Sequence, residues 1–451
     1  MATSTGIQTP SKTLSTGSAP SVSDLAANTK ADRNRAVDFY RAVAMLAVAF
    51  GHWLALVAIQ DADGELIGGN ALSFVPELGW MSWLLQVMPL FFVVGGFSSA
   101  MSLDAHARKD GRAQDWIAAR LRRMMPPAVA LAGFWLVVIT AGALVGQFQI
   151  AIVAAHAAAI PLWFLANYTI DTALAPFVFP RFRRNPALVA GVIGGAFLTF
   201  EILRVLGVPF LPNVNWVLGW LAFQVLGFGW RDGLLPTGKR LVALATSLWV
   251  AALALVLSGG PWSIAMVNAP GIENSPTSPP TLSLMIFGAA YSLTAIAAAP
   301  KISAMLATRP KAWSAVVGAN AIAMSVYLWH MTAAVIVVGA TFFAIGLPVH
   351  VVGSSAWWLF KIPTIAASLI VLAGIVAIVS RVERAALLAP RRAWNGSLAS
   401  IVGVAVVTST ALKLWTSGQA EQIVPSLAVL VILGLTALRA TPSRAKQVLT
   451  S

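Results

Sequence analysis

Residues 37–52 read VDFYRAVAMLAVAFGH: a run of apolar and small side chains that carries an aspartate, an arginine and a histidine. Wound as a helix at about 100° per residue, Arg41 and His52 return to within about 20° of one face, three turns and about 16 Å apart. Asp38, three residues before Arg41, shares that face and is placed to pair with it. An arginine inside an apolar span costs about 2.5–3.5 kcal/mol to insert, so such residues usually face a bundle interior or aqueous cavity and mark a functional path. The bland alternative has Arg41 snorkelling beside Asp38 as a membrane anchor, with His52 an ordinary interhelical hydrogen bonder.

Working outward, the chain has 451 residues, 58% hydrophobic and only 10% charged, with a mean hydropathy of +0.80. Soluble domains are about 25% charged, so this is a membrane protein. Twelve apolar segments reach or approach the length of about 20 residues that a bilayer requires: roughly 37–59, 80–101, 126–146, 150–178, 187–206, 213–230, 241–258, 282–299, 315–343, 355–379, 398–416 and 423–438. Pro161 and Pro176 interrupt the fourth. The expected architecture is an all-α, polytopic membrane helix bundle.

Of the 30 lysines and arginines, 26 fall in the two tails and in alternate loops. The intervening segments 60–79, 147–149, 207–212, 259–281, 344–354 and 417–422 carry none. By the positive-inside rule both termini are cytoplasmic. The isoelectric point near 10.9 is thus a topology signal and not a nucleic-acid footprint. Residues 1–32 are Ser-, Thr- and Ala-rich and read as a disordered cytoplasmic tail without a signal peptide. Arg204 and Lys413 sit near span ends, where both can snorkel. There are no cysteines, which excludes disulfides and thiol chemistry; the five histidines are scattered, so no metal site is expected.

Several segments together resemble acyltransferase family 3, a family of integral membrane proteins. VDFYRAVAMLAVAFGH is similar to its first helix, Asp-x-x-Arg followed by ten residues and a histidine. PLFFVVGGFSSAMSL (89–103) resembles its Phe-Phe-x-x-Ser-Gly-Phe helix, with Gly95 in place of the serine. ARLRRMMPP (119–127) is similar to its Arg-x-x-Arg run before a proline pair, which puts Arg120 and Arg123 on the motif. SVYLWHM (325–331) resembles its late Tyr-Leu-Trp-His, giving Tyr327, Trp329 and His330, and PLWFLANY (161–168) is a looser match that gives Trp163. The resemblance spans about 33–380, a ten-helix acyltransferase core. Beyond it lie a cytoplasmic loop with two extra transmembrane helices (381–438) and a cytoplasmic tail (439–451).

The resemblance implies transfer of an acyl group, often acetyl, from cytoplasmic acyl-CoA to a hydroxyl of a cell-envelope glycan, glycolipid or small membrane-associated acceptor, in a bacterial plasma membrane. No metal or nucleic acid is implied. On this reading His52 takes the proton of the acceptor hydroxyl, a role suited to imidazole, and Asp38 holds Arg41. Arg120 and Arg123, one helical turn apart, with Arg41, take the coenzyme A phosphates. Trp163, Tyr327, Trp329 and His330 bind substrate or are structural. Asp171 and His156 are lesser candidates, and the loop 259–281 either caps the acceptor entrance or merely connects. The rival reading is a secondary transporter of the major facilitator type, also twelve helices. The echo of its loop motif in LDAHARKDGR (103–112) has the wrong spacing, however, and the two halves of the chain share no visible repeat.

Overall fold

The helix that carries Asp38, Arg41 and His52 is α2 (Arg35–Ala55). In the computed structural model, which describes residues 22–30, 33–60, 66–272, 276–347, 350–388, 396–417 and 419–439, α2 stops at Ala55 instead of continuing to 59. The chain turns into a strand, β1 (Leu56–Gln60), paired antiparallel with β2 (Leu66–Asn70). Two short helices, α3 (Ala71–Phe74) and α4 (Ser82–Leu85), flank a 3-10 turn at Pro76–Met81 and lead to α5 (Met88–Ala107). Next comes α6 (Ala113–Leu144), which starts well before the expected 126 and runs through Pro126 and Pro127. The fourth expected span is two helices, α7 (Phe148–Ala159) and α8 (Leu162–Arg184), broken at Ile160–Pro161.

The remaining helices fall on the other expected segments in order. They are α9 (Pro186–Val205), α10 (Asn215–Arg231), α11 (Gly238–Leu257), α12 (Leu282–Ala307), α13 (Pro310–Ile345), α14 (Ser355–Leu388), α15 (Leu398–Ser417) and α16 (Ala420–Arg439). In hydrocarbon every backbone donor and acceptor must bond within its own segment, which is why apolar length becomes helix. Among the described residues nine helical stretches are long and apolar enough to cross a membrane. Part of the expected N-terminal tail is ordered: α1 (Val22–Ala27) docks Ala26 against Leu306, Trp313 and Val316, and Trp313 Nε1 donates to Thr29 Oγ1 at 2.9 Å. Residues 1–21 and 440–451 of the two expected tails lie outside the described residues.

Two close approaches hold the centre of the bundle. A Cβ built on Gly96 would come 2.0 Å from the Gln224 carbonyl oxygen, and one on Gly227 would come 2.1 Å from that of Val93. The backbones of α5 and α10 therefore touch, as small residues allow in membrane helices. Neither neighbour is a flexible side chain that can give way. Gly96→Ala is expected to lower stability by about 1–3 kcal/mol through forced separation of the two helices. Thermal unfolding in detergent checks this, and an unchanged midpoint would refute the packing argument.

At the other end of these helices Arg183 of α8 bonds Asp104 of α5 at 2.7 and 3.1 Å and Asp232, just past α10, at 2.9 Å; Arg231 pairs with both acids. Burial alone would push the Asp232 carboxyl up, but the hydrogen bonds and charges of Arg183 and Arg231 hold it below the ordinary carboxylate value. This network ties together three helix ends on the basic face of the molecule.

The two C-terminal helices belong to the bundle. Leu412 and Trp415 of α15 and Leu427 and Leu430 of α16 are buried in the main apolar core. Trp415 Nε1 donates to the Ala155 carbonyl of α7 at 3.1 Å.

Candidate active site

His52 occupies the last turn of α2, half-buried, and faces His330 of α13. Its Nδ1 is 3.0 Å from His330 Nε2, and the two rings lie nearly parallel, 16° apart. The other nitrogen of His330, Nδ1, is 2.7 Å from the Tyr327 carbonyl oxygen. A carbonyl only accepts, so His330 Nδ1 carries hydrogen. In neutral His330 the Nε2 is then an acceptor, and His52 must donate to it from Nδ1. That assignment, made from the partners each ring meets, leaves His52 Nε2 with a bare lone pair. The sequence placed His52 and His330 on separate motifs; the fold makes them one unit.

The unit is braced on three sides. Trp53 Nε1 donates to the His330 carbonyl at 2.9 Å, and the Tyr327 hydroxyl donates to the Pro161 carbonyl at the α7–α8 break. Lys361 of α14 donates to the carbonyls of Trp53 at 3.2 Å and of Leu56, capping the C-terminus of α2 where the helix dipole favours a cation. Sequence reading left Lys361 without a role. Its signal was a lone lysine in an apolar span, and its partners come from more than 300 residues away in the chain.

His52 opens onto a cavity of about 910 Å³. Its walls come from the β1–β2 hairpin, from α7, α8, α13 and α15, and from the loop 259–281; Trp163 and Tyr327 line it, as does His156. The described part of that loop around Ile264–Met266 is tied to the segment before α5. Trp83 Nε1 donates to the Ile264 carbonyl at 2.7 Å, and Gln86 Nε2 to the Met266 carbonyl at 2.5 Å. The amide of Met266 donates to Ser82 Oγ at 2.7 Å. At its far end Glu201 of α9 accepts from the Leu282 amide at 2.9 Å while pairing with Arg204 at 2.8 Å. Arg204 is therefore an ion-pair partner in the bundle and not a snorkelling anchor.

Toward the basic face, the other end of α2 gathers guanidinium groups. Asp38 is gripped by Arg33 through two bonds, 2.6 and 3.0 Å, whereas Arg41 reaches it only at 3.4 Å. The expected Asp38–Arg41 pair is thus secondary, and Arg33, counted from sequence as a tail residue, is the main partner. The pairing raises the Arg33 guanidinium above its ordinary value, chiefly by its hydrogen bond to Asp38. Arg41 instead donates to Ser98 Oγ of α5 at 2.7 Å and lies within electrostatic range of Arg120, Arg33 and Tyr168. Arg120 stacks over Trp116 at 4.8 Å. Three guanidiniums against one carboxylate leave a net positive site, suited to a polyanion.

Other candidates fall elsewhere. Arg123 is exposed on α6, one turn from Arg120. Trp329 is buried with its ring edge-on to Phe134, 5.5 Å away, and does not line the cavity, so it packs. Asp171 is fully buried in α8, away from the cavity lining, and its carboxylate has no hydrogen-bond partner among the described residues. Among those residues no three metal-ligating side chains converge. Gly95, the departure from the motif, faces Tyr168: a Cβ there would lie 3.2 Å from the ring. The missing serine is thus matched by an aromatic neighbour in the space it would enter.

These features define a multi-pass helical membrane protein with a histidine pair, of which His52 lines a cavity, and a guanidinium cluster at the far end of α2. A family profile described as "Acyltransferase domain" matches residues 34–382, and the chain belongs to that family, acyltransferase family 3. No curated protein and no solved structure matches the chain. Membership favours the acyltransferase over the transporter reading. The match ends before α15 and α16.

Proposed function

We propose that the protein moves a short acyl group, such as acetyl, from cytoplasmic acyl-CoA to a hydroxyl of a carbohydrate or lipid-linked acceptor in the bacterial plasma membrane. On this reading α2, α10 and α16 cross the bilayer together with the other long helices, giving twelve crossings with both termini cytoplasmic. The observation that carries the proposal is the layout of α2, with guanidiniums at one end and a cavity-facing imidazole with a free lone pair about 16 Å away. Arg41 and Arg120 hold the pyrophosphate of coenzyme A, and exposed Arg123 meets the remaining phosphate. An extended pantetheine arm then carries the thioester to His52.

The acceptor hydroxyl enters from the cavity. His52 Nε2 takes its proton as the oxygen attacks the thioester carbonyl. The tetrahedral intermediate collapses with cleavage of the C–S bond, and the departing thiolate takes the proton back from His52. Atoms and charge balance without a metal or a second cofactor.

Acetyl-CoA binding by the protein in nanodiscs tests the donor side. Arg41→Ala and Arg120→Ala are each expected to weaken binding about 10- to 150-fold, the worth of one or two hydrogen bonds between charged groups. Arg123→Ala, which removes a solvent-screened contact, is expected to cost less than about fivefold. Equal affinities for wild type and Arg120→Ala would sink the assignment of the phosphate site. A wild type that does not bind acetyl-CoA would sink the donor itself.

A further inference from the structure

One face of α5 runs from the guanidinium cluster to the cavity. At one end Ser98 accepts from Arg41 at 2.7 Å. One turn back, Gly95 faces Tyr168 of α8. A further turn back, Phe91 meets Phe164 of α8 edge-on, with ring centres 4.8 Å apart. Phe164 and Met88 then line the cavity that His52 opens onto. Spacings of three and four residues keep Ser98, Gly95, Phe91 and Met88 on one side of the helix. The rise from Ser98 to Met88 is about 15 Å, which matches the ~16 Å between Arg41 and His52 along α2.

Tyr168 stands beside this line. Its ring stacks on Phe164 at 5.5 Å and 29°, and lies 6.5 and 6.3 Å from the rings of Phe91 and Phe92. Gly95 lets the ring approach α5, since a Cβ there would lie 3.2 Å from Tyr168 Cε2 and 3.9 Å from the hydroxyl oxygen. The apolar part of the side chain is thus held by packing, while its hydroxyl makes no hydrogen bond to any described residue. A tyrosine set among apolar rings usually finds a partner for that hydroxyl. Tyr168, Ser98 and Arg41 are each half-buried, although Asn167, Ser99 and Ala42 beside them in the chain are buried. Ser98 is bonded to Arg41, and Tyr168 lies in electrostatic range of it, so the accessible parts of all three border one space beside the guanidiniums.

We infer that Tyr168 is a donor-binding residue, whose hydroxyl hydrogen-bonds the pantetheine arm of acyl-CoA where the arm leaves the guanidiniums for His52. The inference rests on the acyl-CoA reading of the donor and adds to it a residue and a point of contact. Tyr168 faces Gly95, nearer the Ser98 end of the line than the Met88 end. The part of the arm next to its phosphate carries two methyl groups, a hydroxyl and then the first amide. A phenol both donates and accepts, so it can serve that hydroxyl or either side of that amide. The rings of Phe91 and Phe92 offer apolar surface to the methyl groups.

The test is equilibrium binding by calorimetry, with the full-length protein in phosphatidylcholine nanodiscs and empty nanodiscs subtracted. Two probes are compared: acetyl-CoA, and adenosine 3′-phosphate 5′-diphosphate, the nucleotide of coenzyme A without its arm. Wild type is expected to bind acetyl-CoA more tightly than the armless nucleotide. Tyr168→Phe keeps the ring and its packing and removes only the hydroxyl. It is expected to weaken acetyl-CoA binding about 2- to 12-fold, the worth of one hydrogen bond, and to leave binding of the nucleotide unchanged. Unfolding midpoints show whether the variant is folded.

A residue that merely packs against Gly95 would give the same acetyl-CoA affinity with phenylalanine in place, and that result overturns the inference. Equal weakening of both probes also overturns it, because the hydroxyl then meets the phosphates and not the arm. Equal affinity of wild type for the two probes does the same, since the arm then makes no contact worth measuring. That comparison needs no variant, so a misfolded mutant cannot shield the idea. The two readings separate on the same samples. Wild type that binds acetyl-CoA beside an unaltered Tyr168→Phe leaves the donor reading standing and removes this inference alone. Wild type that binds neither probe removes the donor reading, and this inference with it.

Discussion

Replacing His52 with alanine is expected to lower acyl transfer by about 10²- to 10⁴-fold, the usual worth of a positioned general base, with little change in affinity for acyl-CoA. The expectation follows from the tautomer. His330 Nδ1 is committed to a carbonyl and its Nε2 to His52 Nδ1, so the only free basic nitrogen of the pair is His52 Nε2, on the cavity side. On the proposed layout the donor is held by guanidiniums at the far end of α2, so its binding should not depend on the imidazole. The measurement is thiol release from acetyl-CoA beside acetyl-CoA binding, for wild type, His52→Ala and His52→Gln. Glutamine keeps a polar side chain of similar reach but accepts protons poorly, so both variants should fall together. Should His52→Gln turn over at the wild-type rate, base catalysis by His52 is wrong. Should both variants lose acyl-CoA binding as well, His52 belongs to the donor site and its role has to be rewritten.

Much of the fold was legible because membrane helices obey few rules. Apolar length and the alternation of basic loops point to helices over each segment. The errors sit where hydropathy and helix are different quantities. Hydropathy reads the bilayer-length part of a helix, so α6 appears to begin at 126, whereas its basic first turns, from Ala113, continue the same helix outside the apolar span. The β1–β2 hairpin was missed for a related reason. Residues 42–59 are almost unbroken apolar sequence, and a short apolar run does not by itself distinguish strand from helix. The break between α7 and α8 was visible in Pro161, since a proline removes a donor and clashes with the preceding turn.

The site was legible along α2 and much less so across the bundle. Helical spacing alone put Asp38, Arg41 and His52 on one stripe. The partners that decide their chemistry come from distant parts of the chain. His330 lies 278 residues from His52, and no local pattern announces that pairing. Arg33 escaped because it lies before the apolar span, where a basic residue reads as topology. Lys413 escaped for the opposite reason: near a span end, the cheapest reading of a lysine is snorkelling. In the fold its ammonium donates to Ser278 Oγ and lies over the Trp216 ring, beside the cavity. Trp329, read from its motif as substrate-binding or structural, has its ring packed edge-on against Phe134, a contact that its sequence position does not announce.

His330→Ala is the second large effect. As His52 Nε2 takes up the acceptor proton, the ring becomes an imidazolium whose Nδ1–H points at His330 Nε2. The bond between them, 3.0 Å long in the resting state, then joins a charged donor to a neutral acceptor and strengthens. Such bonds are worth about 1.5–3 kcal/mol, so the variant should lose about 10- to 150-fold in transfer rate, less than His52→Ala but far more than a packing change elsewhere in α13. On the proposed mechanism His330 acts through His52, much as the buried carboxylate of a hydrolase triad fixes its histidine, and is a positioning residue. A purely structural role predicts something different. Alanine leaves a hole, and so would any residue that fails to fill it, whereas phenylalanine fills the space without offering an acceptor. On the positioning account His330→Phe is as slow as His330→Ala, and His330→Gln, whose side-chain oxygen accepts from Nδ1–H, recovers much of the rate. If Phe rescues and Gln does not, the pair is packing, and His52 must be oriented by another group. Unfolding midpoints taken on all three variants separate lost rate from lost protein.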